Sequence, residues 1–411
     1  MSRRGIVLAL CGALAPLASF LDPLAMAPLF TLAAVATLAL EARALRSALR
    51  ALAPFAALGA ALGVWATLSA LWSIIPLHSF LEGLRLLLVF AGGSVLLAAA
   101  LSLAPRERRL VATWTAVGLA LATLFGLHEA LTDASISRMI LNRPMVLLAR
   151  FDRAATVLAL ALWPVVAASR GRWRVSLPAL FALGVAANLW LLFSTAALLA
   201  IFAALVVFAV AWFLPRATAA ALGAVLVLFA AAAPFAVPPY RDTIALYHDA
   251  PQIKWSALHR LMIWRFTADR VEERPLLGWG MDASRAIPGG EQRWADRFPG
   301  ANLPLDATTL PLHPHNAVLQ WELELGIPGT LLALAIVLWG LWRAGFSADL
   351  ARTARAGALA WAAAALVIAC LSYGVWQAWW LSSLFLTAAL LSVAAGETPR
   401  ENGDIRARDR P

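Results

Sequence analysis

Two imidazoles one residue apart, in Leu312-His313-Pro314-His315-Asn316-Ala317-Val318-Leu319-Gln320, are the sharpest chemical feature of the chain. Proline disfavours helical geometry in the residue before it, so His313 lies on an extended or turning backbone, ahead of a helix that starts near Asn316. Imidazole titrates near neutral pH and a helix N-terminus disfavours the imidazolium, so one reading of the pair is a general base. The other is plain local hydrogen bonding, and Asn316 is equally placed to serve only as the cap of the following helix. A His-x-His metal site would need a carboxylate close by, and the nearest acid in sequence is Asp306.

Arginine supplies the second feature. Arg138, Arg143, Arg150 and Arg153 fall in one polar segment, and Arg260 and Arg265 in another. Guanidinium is permanently charged and forks onto phosphate, so such gatherings suggest an anionic ligand. Arg260 and Trp264 share a helix face, whereas Arg265 points about 140° away and has Asp269 as an alternative i,i+4 partner. Arg153 follows Asp152 at the mouth of an apolar stretch, where a charge is costly unless paired or used. His78, Glu82 and Arg85 read as snorkelling and capping groups. Glu322 and Glu324 read as interfacial carboxylates, with orientation of an imidazole as the alternative, and Trp376, Trp379 and Trp380 as an outer aromatic belt.

The elements that must position these groups are membrane helices. Of 411 residues 62% are apolar and 14% charged, which excludes a soluble globule and a disordered chain, and the long unbroken apolar runs exclude an outer-membrane barrel. The chain is therefore an all-α polytopic membrane protein. A bilayer core takes about 20 apolar residues per helix, which predicts about 12 spans. They lie near 5–21, 24–40, 52–72, 84–103, 110–131, 154–169, 175–193, 196–214, 218–237, 317–342, 356–373 and 378–395. Two double-length runs are divided at Phe193-Ser194-Thr195 and at Tyr373-Gly374-Val375. With the start inside, every inner connection is basic: Arg3/Arg4, Arg43/Arg46/Arg50, Arg106/Arg108/Arg109, Arg170/Arg172/Arg174, Arg216, Arg343/Arg352/Arg355 and Arg400/Arg406/Arg408/Arg410. Both termini are thus expected in the cytoplasm. Residues 1–21 also resemble a signal peptide, whose removal would leave the remaining topology unchanged. The formal charge of +10 reflects this placement and does not imply nucleic acid; Cys11 and Cys370 both fall in spans, which leaves neither a disulfide framework nor a cysteine metal site.

This divides the chain into spans one to nine with an outer loop at 132–153 (residues 1–237), an outer segment (238–316), spans ten to twelve (317–395) and a polar, disordered cytoplasmic tail (396–411). The outer segment is too long for a passive connector and reads as a lid or small domain. Within it Ile253–Glu273 reads as an amphipathic helix ended by Pro275 and a Gly278/Gly280 turn.

Taken in order, Ser256-Ala257-Leu258-His259-Arg260-Leu261-Met262-Ile263-Trp264, then Arg274-Pro275-Leu276-Leu277-Gly278-Trp279-Gly280, then His313-Pro314-His315-Asn316 with Glu324-Leu325-Gly326-Ile327-Pro328-Gly329 resemble the O-antigen ligase and O-antigen polymerase superfamily of lipid-linked glycan transferases. Leu71-Trp72-Ser73 with Pro76 adds a faint match. The resemblance implies a GT-C-like fold in the bacterial inner membrane with a periplasmic active site. It also implies an undecaprenyl-diphosphate-linked glycan as donor, an acceptor hydroxyl on lipid A-core (ligase) or on another lipid-linked chain (polymerase), and neither metal nor cofactor. On that pattern His315 is the base of an inverting transfer and Arg260 grips the diphosphate. His313 and Arg265 assist, and Asn316 and Trp264 complete the substrate site. The family's Ser-Arg-Gly step is missing at Phe193-Ser194-Thr195-Ala196, and its role passes to Arg153, in Phe151-Asp152-Arg153-Ala154. Ligase is the first reading and polymerase the second. A transporter or flippase for an anionic lipid-linked substrate would show midplane charges and inverted repeats, and neither is visible; a non-catalytic scaffold would leave the His-Pro-His-Asn positions replaceable.

Overall fold

A computed structural model describes residues 1–169 and 175–394; the basic cluster at 170–174 and residues 395–411, which include the polar tail, lie outside the described residues. The described residues form helices α1 (Arg3–Leu21), α2 (Met26–Glu41), α3 (Arg46–Ala51), α4 (Ala53–Leu68), α5 (Pro76–Leu101), α6 (Pro105–Leu131), α7 (Ser135–Leu141), α8 (Asp152–Ala168), α9 (Ser176–Leu191), α10 (Thr195–Phe213), α11 (Pro215–Ala236), α12 (Tyr240–Asp249), α13 (Trp255–Glu273), α14 (Trp294–Arg297), α15 (Ala317–Phe346), α16 (Arg352–Leu371) and α17 (Ala378–Ala394). Among the described residues ten stretches are long and apolar enough to cross a membrane, and α9 and α17 are shorter apolar helices, so each of the twelve predicted spans corresponds to a helix. Both double-length runs break where turn residues interrupt them: Phe193 adopts φ 56 between α9 and α10, and residues 372–377 separate α16 from α17.

Beyond its first two residues, Asp152 and Arg153, α8 is apolar on every face and almost wholly buried, as expected of a helix with no polar stripe to turn outward. It sits at the centre, packed by α1, α6, α9, α10, α16 and α17. The α9–α11 group instead turns Leu183, Phe202, Val206 and Leu228 outward, towards where lipid would be. Two helices start five or more residues ahead of their apolar windows. α5 begins at Pro76 rather than near 84, because Arg85 pairs with Glu82 on the same face and neutralises the charges that end the window. α6 begins at Pro105, with Glu107 bonding the Ala104 amide.

The segment between α11 and α15 builds a second small core, in which Phe266, Trp294, Ile287 and Leu310 are buried and Leu323 of α15 closes the base. α13 is its long element and ends at Glu273, two residues before Pro275. α12 precedes it.

Candidate functional site

α15 carries the two imidazoles at its entrance and is broken two turns later. Gly326 adopts φ 61 and ψ −163, and Pro328 follows, so the helical ladder is interrupted and carbonyls are left over. A buried carbonyl needs a donor, and the Arg274–Gly280 turn supplies them: Trp279 N donates to Leu323 O (2.8 Å) and Gly280 N to Glu324 O (2.8 Å). The Trp65 indole donates to Leu325 O at 2.9 Å, and Ile327 N to Pro275 O at 3.1 Å. A Cβ on Gly326 would lie 2.3 Å from Leu276 O, and one on Gly278 2.5 Å from the Glu324 carbonyl carbon, so neither side of this joint admits a side chain. Trp72 joins the same turn, its indole donating to Leu277 O at 3.0 Å. The stretches Leu71–Ser73, Arg274–Gly280 and Glu324–Gly329 are thus one interlocked backbone structure.

The carboxylate of Glu324 ties further segments to that joint. It accepts from Asp282 N (2.9 Å), Ser284 N (3.3 Å), the Ser284 hydroxyl, the Trp376 indole (2.6 Å) and the Gln320 amide (3.2 Å). Gln320 Oε1 in turn accepts from Val375 N at 2.9 Å. Glu324 therefore holds the loop after Gly280 and the turn between α16 and α17. Its expected alternative role, orienting an imidazole, does not arise, because five other donors occupy its oxygens.

That turn positions the imidazoles. His315 Nδ1 donates to Ser372 O, and since a carbonyl only accepts, the proton sits on Nδ1 and the Nε2 lone pair is free. His315 N donates to His313 Nδ1 (3.3 Å), which fixes the opposite tautomer on His313, with its proton on Nε2. The rings stand edge to face with centroids 4.3 Å apart. Pro314 O accepts from the Trp264 indole (3.0 Å), and the loop needs that clamp because His315 is in the left-handed region at φ 57. Burial, with the Ser372 carbonyl opposing and the Arg260 charge assisting, lowers the His315 pKa to about 4; burial together with His315 and the charges of Arg153, Arg285 and Arg260 lowers that of His313 to about 3. Both are neutral at pH 7.

Of the other residues expected here, the structure brings some in and leaves others out. Arg260 faces the imidazoles; its Nη1 donates back to Ser256 O, its buried Nε has no partner, and burial lowers its pKa while the charges of Asp152 and Tyr373 oppose this. Arg153 is exposed, lies over the Trp379 ring at 5.6 Å, and makes no ion pair among the described residues. Its neighbour Asp152 accepts from the Tyr373 hydroxyl (2.6 Å) and from Ser194 (2.5 Å). The stretch that lacks the family arginine is thereby bonded directly to the one that offers Arg153. Asn316 is buried and spends its Oδ1 on Val318 N (3.1 Å) and Leu319 N (3.3 Å), so it is the cap of α15. Trp264 clamps the His loop through its indole. Arg265 is not brought in: it pairs with Asp269 and lies 3.6 Å from Glu272, on the face of α13 turned towards Tyr240.

Beside the imidazoles is a pocket of about 340 Å3 lined by Glu82, Arg85, Arg153, Asp282, Arg285, Gln377, Trp376 and Trp379, with Leu24 and Ala27 at its rim. His78 reaches Asp282 (2.8 Å), Arg285 pairs with Asp282 (2.6 Å), and Arg85 bonds Glu82 (2.9 Å) and Trp376 O (2.8 Å). His78, Glu82 and Asp282 have ligand atoms within 4.8 Å of one another, and guanidinium groups already sit on both carboxylates. The reading of His78, Glu82 and Arg85 as snorkelling groups gives way to this network. The aromatic belt gives way too, since Trp376, Trp379 and Trp380 are at most 3% exposed.

Residues 179–334 match a family model described as O-antigen ligase. Over this stretch, less than half of its length, the chain is similar to O-antigen ligases. Proteins of Rickettsia conorii and Rickettsia prowazekii, each provisionally named a polysaccharide ligase, are 38% identical to it over 128 residues. Those matches span 31% of this chain and 29% to 30% of the relatives, so the chain spans under a third of the length of the relatives it matches. The O-antigen ligase match contains Arg260, Trp264, Arg265, His313, His315 and Asn316. Arg153, Asp152, Tyr373 and the residues at 78–85 lie outside it and complete the site from the rest of the bundle. Asp152 and Tyr373 are 221 residues apart, and nothing local in sequence marks them as partners.

Proposed function

We propose that this protein is a glycosyltransferase that moves a glycan from a polyprenyl diphosphate, undecaprenyl diphosphate in the reading from resemblance, to an acceptor sugar hydroxyl. The observation that carries this is the pairing of a tautomer-fixed imidazole, His315, with a guanidinium, Arg260, whose buried Nε has no partner. His315 Nε2 takes the proton of the acceptor hydroxyl, and the oxygen attacks the anomeric carbon as the bond to the diphosphate oxygen breaks. Arg260 neutralises the charge that develops on the departing lipid diphosphate. Attack opposite the leaving group inverts the anomeric centre. A pKa of about 4 leaves His315 unprotonated and ready, and a diphosphate bound at Arg260 offsets the positive charge that lowers it, which strengthens the base when the donor is in place.

His313 presents its Nε2–H as a donor beside the reacting centre, and Arg153 adds a second, uncompensated guanidinium. The basic connections of the sequence favour the periplasm for this end of the bundle and the inner membrane as its location. The relatives' names favour a ligase over a polymerase of the same superfamily, and lipid A-core as the acceptor comes from the resemblance. Purified protein in detergent, given an undecaprenyl-diphosphate-linked glycan and either lipid A-core or a second lipid-linked glycan, tests the reading. Transfer to lipid A-core with an inverted linkage by NMR is expected. Absence of transfer to either acceptor, or a retained configuration, overturns it.

A further inference from the structure

We infer that the 340 Å3 pocket walled by Arg153, Arg285 and Trp379 is the acceptor subsite, and that it takes a sugar carrying an anionic substituent. This rests on the transfer reading above and adds to it the place and chemical class of the second substrate.

The pocket and the imidazoles rest on one turn of the chain. His313 packs so closely on the turn between α16 and α17 that a Cβ on Gly374 would lie 2.9 Å from its ring, and the same turn continues into Trp376, Gln377 and Trp379, which line the pocket. A reaction of two substrates needs an anchoring place for each. Arg260 approaches from α13 and its charge bears on both imidazoles, whereas Arg153 and Arg285 bear on His313. The donor diphosphate at Arg260 and the acceptor at Arg153 and Arg285 then sit on the two sides of one imidazole pair, which moves Arg153 from the donor role implied by the resemblance to the acceptor.

Its chemistry suits an acidic sugar. Three arginines, Arg85, Arg153 and Arg285, against two carboxylates, Glu82 and Asp282, leave a formal charge of +1, and the surplus lies at Arg153. Paired carboxylates and guanidiniums offer acceptors and donors to sugar hydroxyls, indoles offer surface to the apolar face of the ring, and the free guanidinium matches a phosphate or a carboxylate. A divalent cation would first have to displace both guanidiniums. The rim residue Leu24 is 55% exposed, giving the polar pocket an apolar lip at which a lipid-anchored acceptor reaches it from the bilayer.

The test uses the full chain in lipid nanodiscs. Tryptophan fluorescence is titrated, without donor, with a phosphorylated oligosaccharide, with the same oligosaccharide after phosphatase treatment, and with a uronate oligosaccharide. Saturable binding of the phosphorylated or the uronate form is expected, with affinity falling at least about tenfold on dephosphorylation or in Arg285→Gln, and retained in Arg260→Gln and Arg285→Lys. In steady-state transfer, Arg285→Gln raises the acceptor KM about tenfold or more and leaves the donor KM within about twofold. Binding lost in Arg260→Gln but kept in Arg285→Gln, equal binding of charged and neutral sugars, or a shift confined to the donor KM overturns the pocket assignment alone. A wild-type protein that binds the acidic sugar and transfers nothing overturns the transfer reading alone.

Discussion

Two polar clusters stand two turns apart on α15, and they are built on opposite terms. Around Glu324 every oxygen is spoken for: five donors converge on a carboxylate that is fully buried. Around His315 the groups are left open: its Nε2, the Nε2–H of His313 and Nε of Arg260 have no partner among the described residues, and the backbone of His315 is held in the left-handed region. A satisfied network rigidifies, whereas an unsatisfied one awaits a ligand. The contrast divides the family-like motifs. Arg274–Gly280 and Glu324–Gly329 are a backbone joint, and the chemistry is left to Arg260 and the imidazoles.

Substitutions in the two clusters should therefore fail in different ways. The largest effect on stability is expected from Glu324→Ala, which strands five buried donors. With each uncompensated group costing about 1–3 kcal/mol, a loss of about 3 kcal/mol or more should appear in thermal unfolding in detergent. An unchanged unfolding temperature would break the contrast. Gly326→Ala comes next: the positive φ and a Cβ 2.3 Å from Leu276 O should cost about 2 kcal/mol, and Gly326→Ala combined with Glu324→Ala should show non-additivity, because both loosen one joint.

The imidazole end should show itself through pH. The folded-state pKa values of His313 and His315 are lowered to about 3 and about 4, so the unfolded chain binds protons first as pH falls. Their share of the stability is complete above pH 6.5 and is lost as pH falls towards 4. Unfolding measured at pH 7.5 and pH 5 should show the loss, and a double His→Gln variant should flatten it. The smallest effect sharpens the comparison on α13: Arg265→Ala removes a guanidinium already committed to Asp269, so transfer should stay within about twofold of wild type, although the residue is only five positions from Arg260.

Much of the bundle was legible because lipid imposes length and polarity on each span, and even the two double runs part where Phe193–Thr195 and Tyr373–Val375 permit a turn. The site was legible where chemistry is local: two imidazoles around a proline, an Asn that caps, an Arg and a Trp on one helix face. It was illegible where partners are distant. Asp152 meets Tyr373, and the pocket gathers residues from 78–85, 282–285 and 376–379, each of which has a sufficient local explanation when taken alone. Trp376 reads as an interfacial anchor in the sequence, but its indole is needed by Glu324. Arg265 had two partners open to it in sequence, and the i,i+4 carboxylate prevailed.

The claim that most needs testing is that His315 Nε2 is the base and that its neighbourhood is otherwise intact without it. Single-turnover transfer from a labelled polyprenyl-diphosphate donor by His315→Ala, beside wild type, with unfolding temperature recorded on the same samples, addresses it directly. The expected result is a rate lower by about 10²–10⁴-fold at an unfolding temperature close to wild type. Transfer at the wild-type rate in a folded His315→Ala protein would contradict the account.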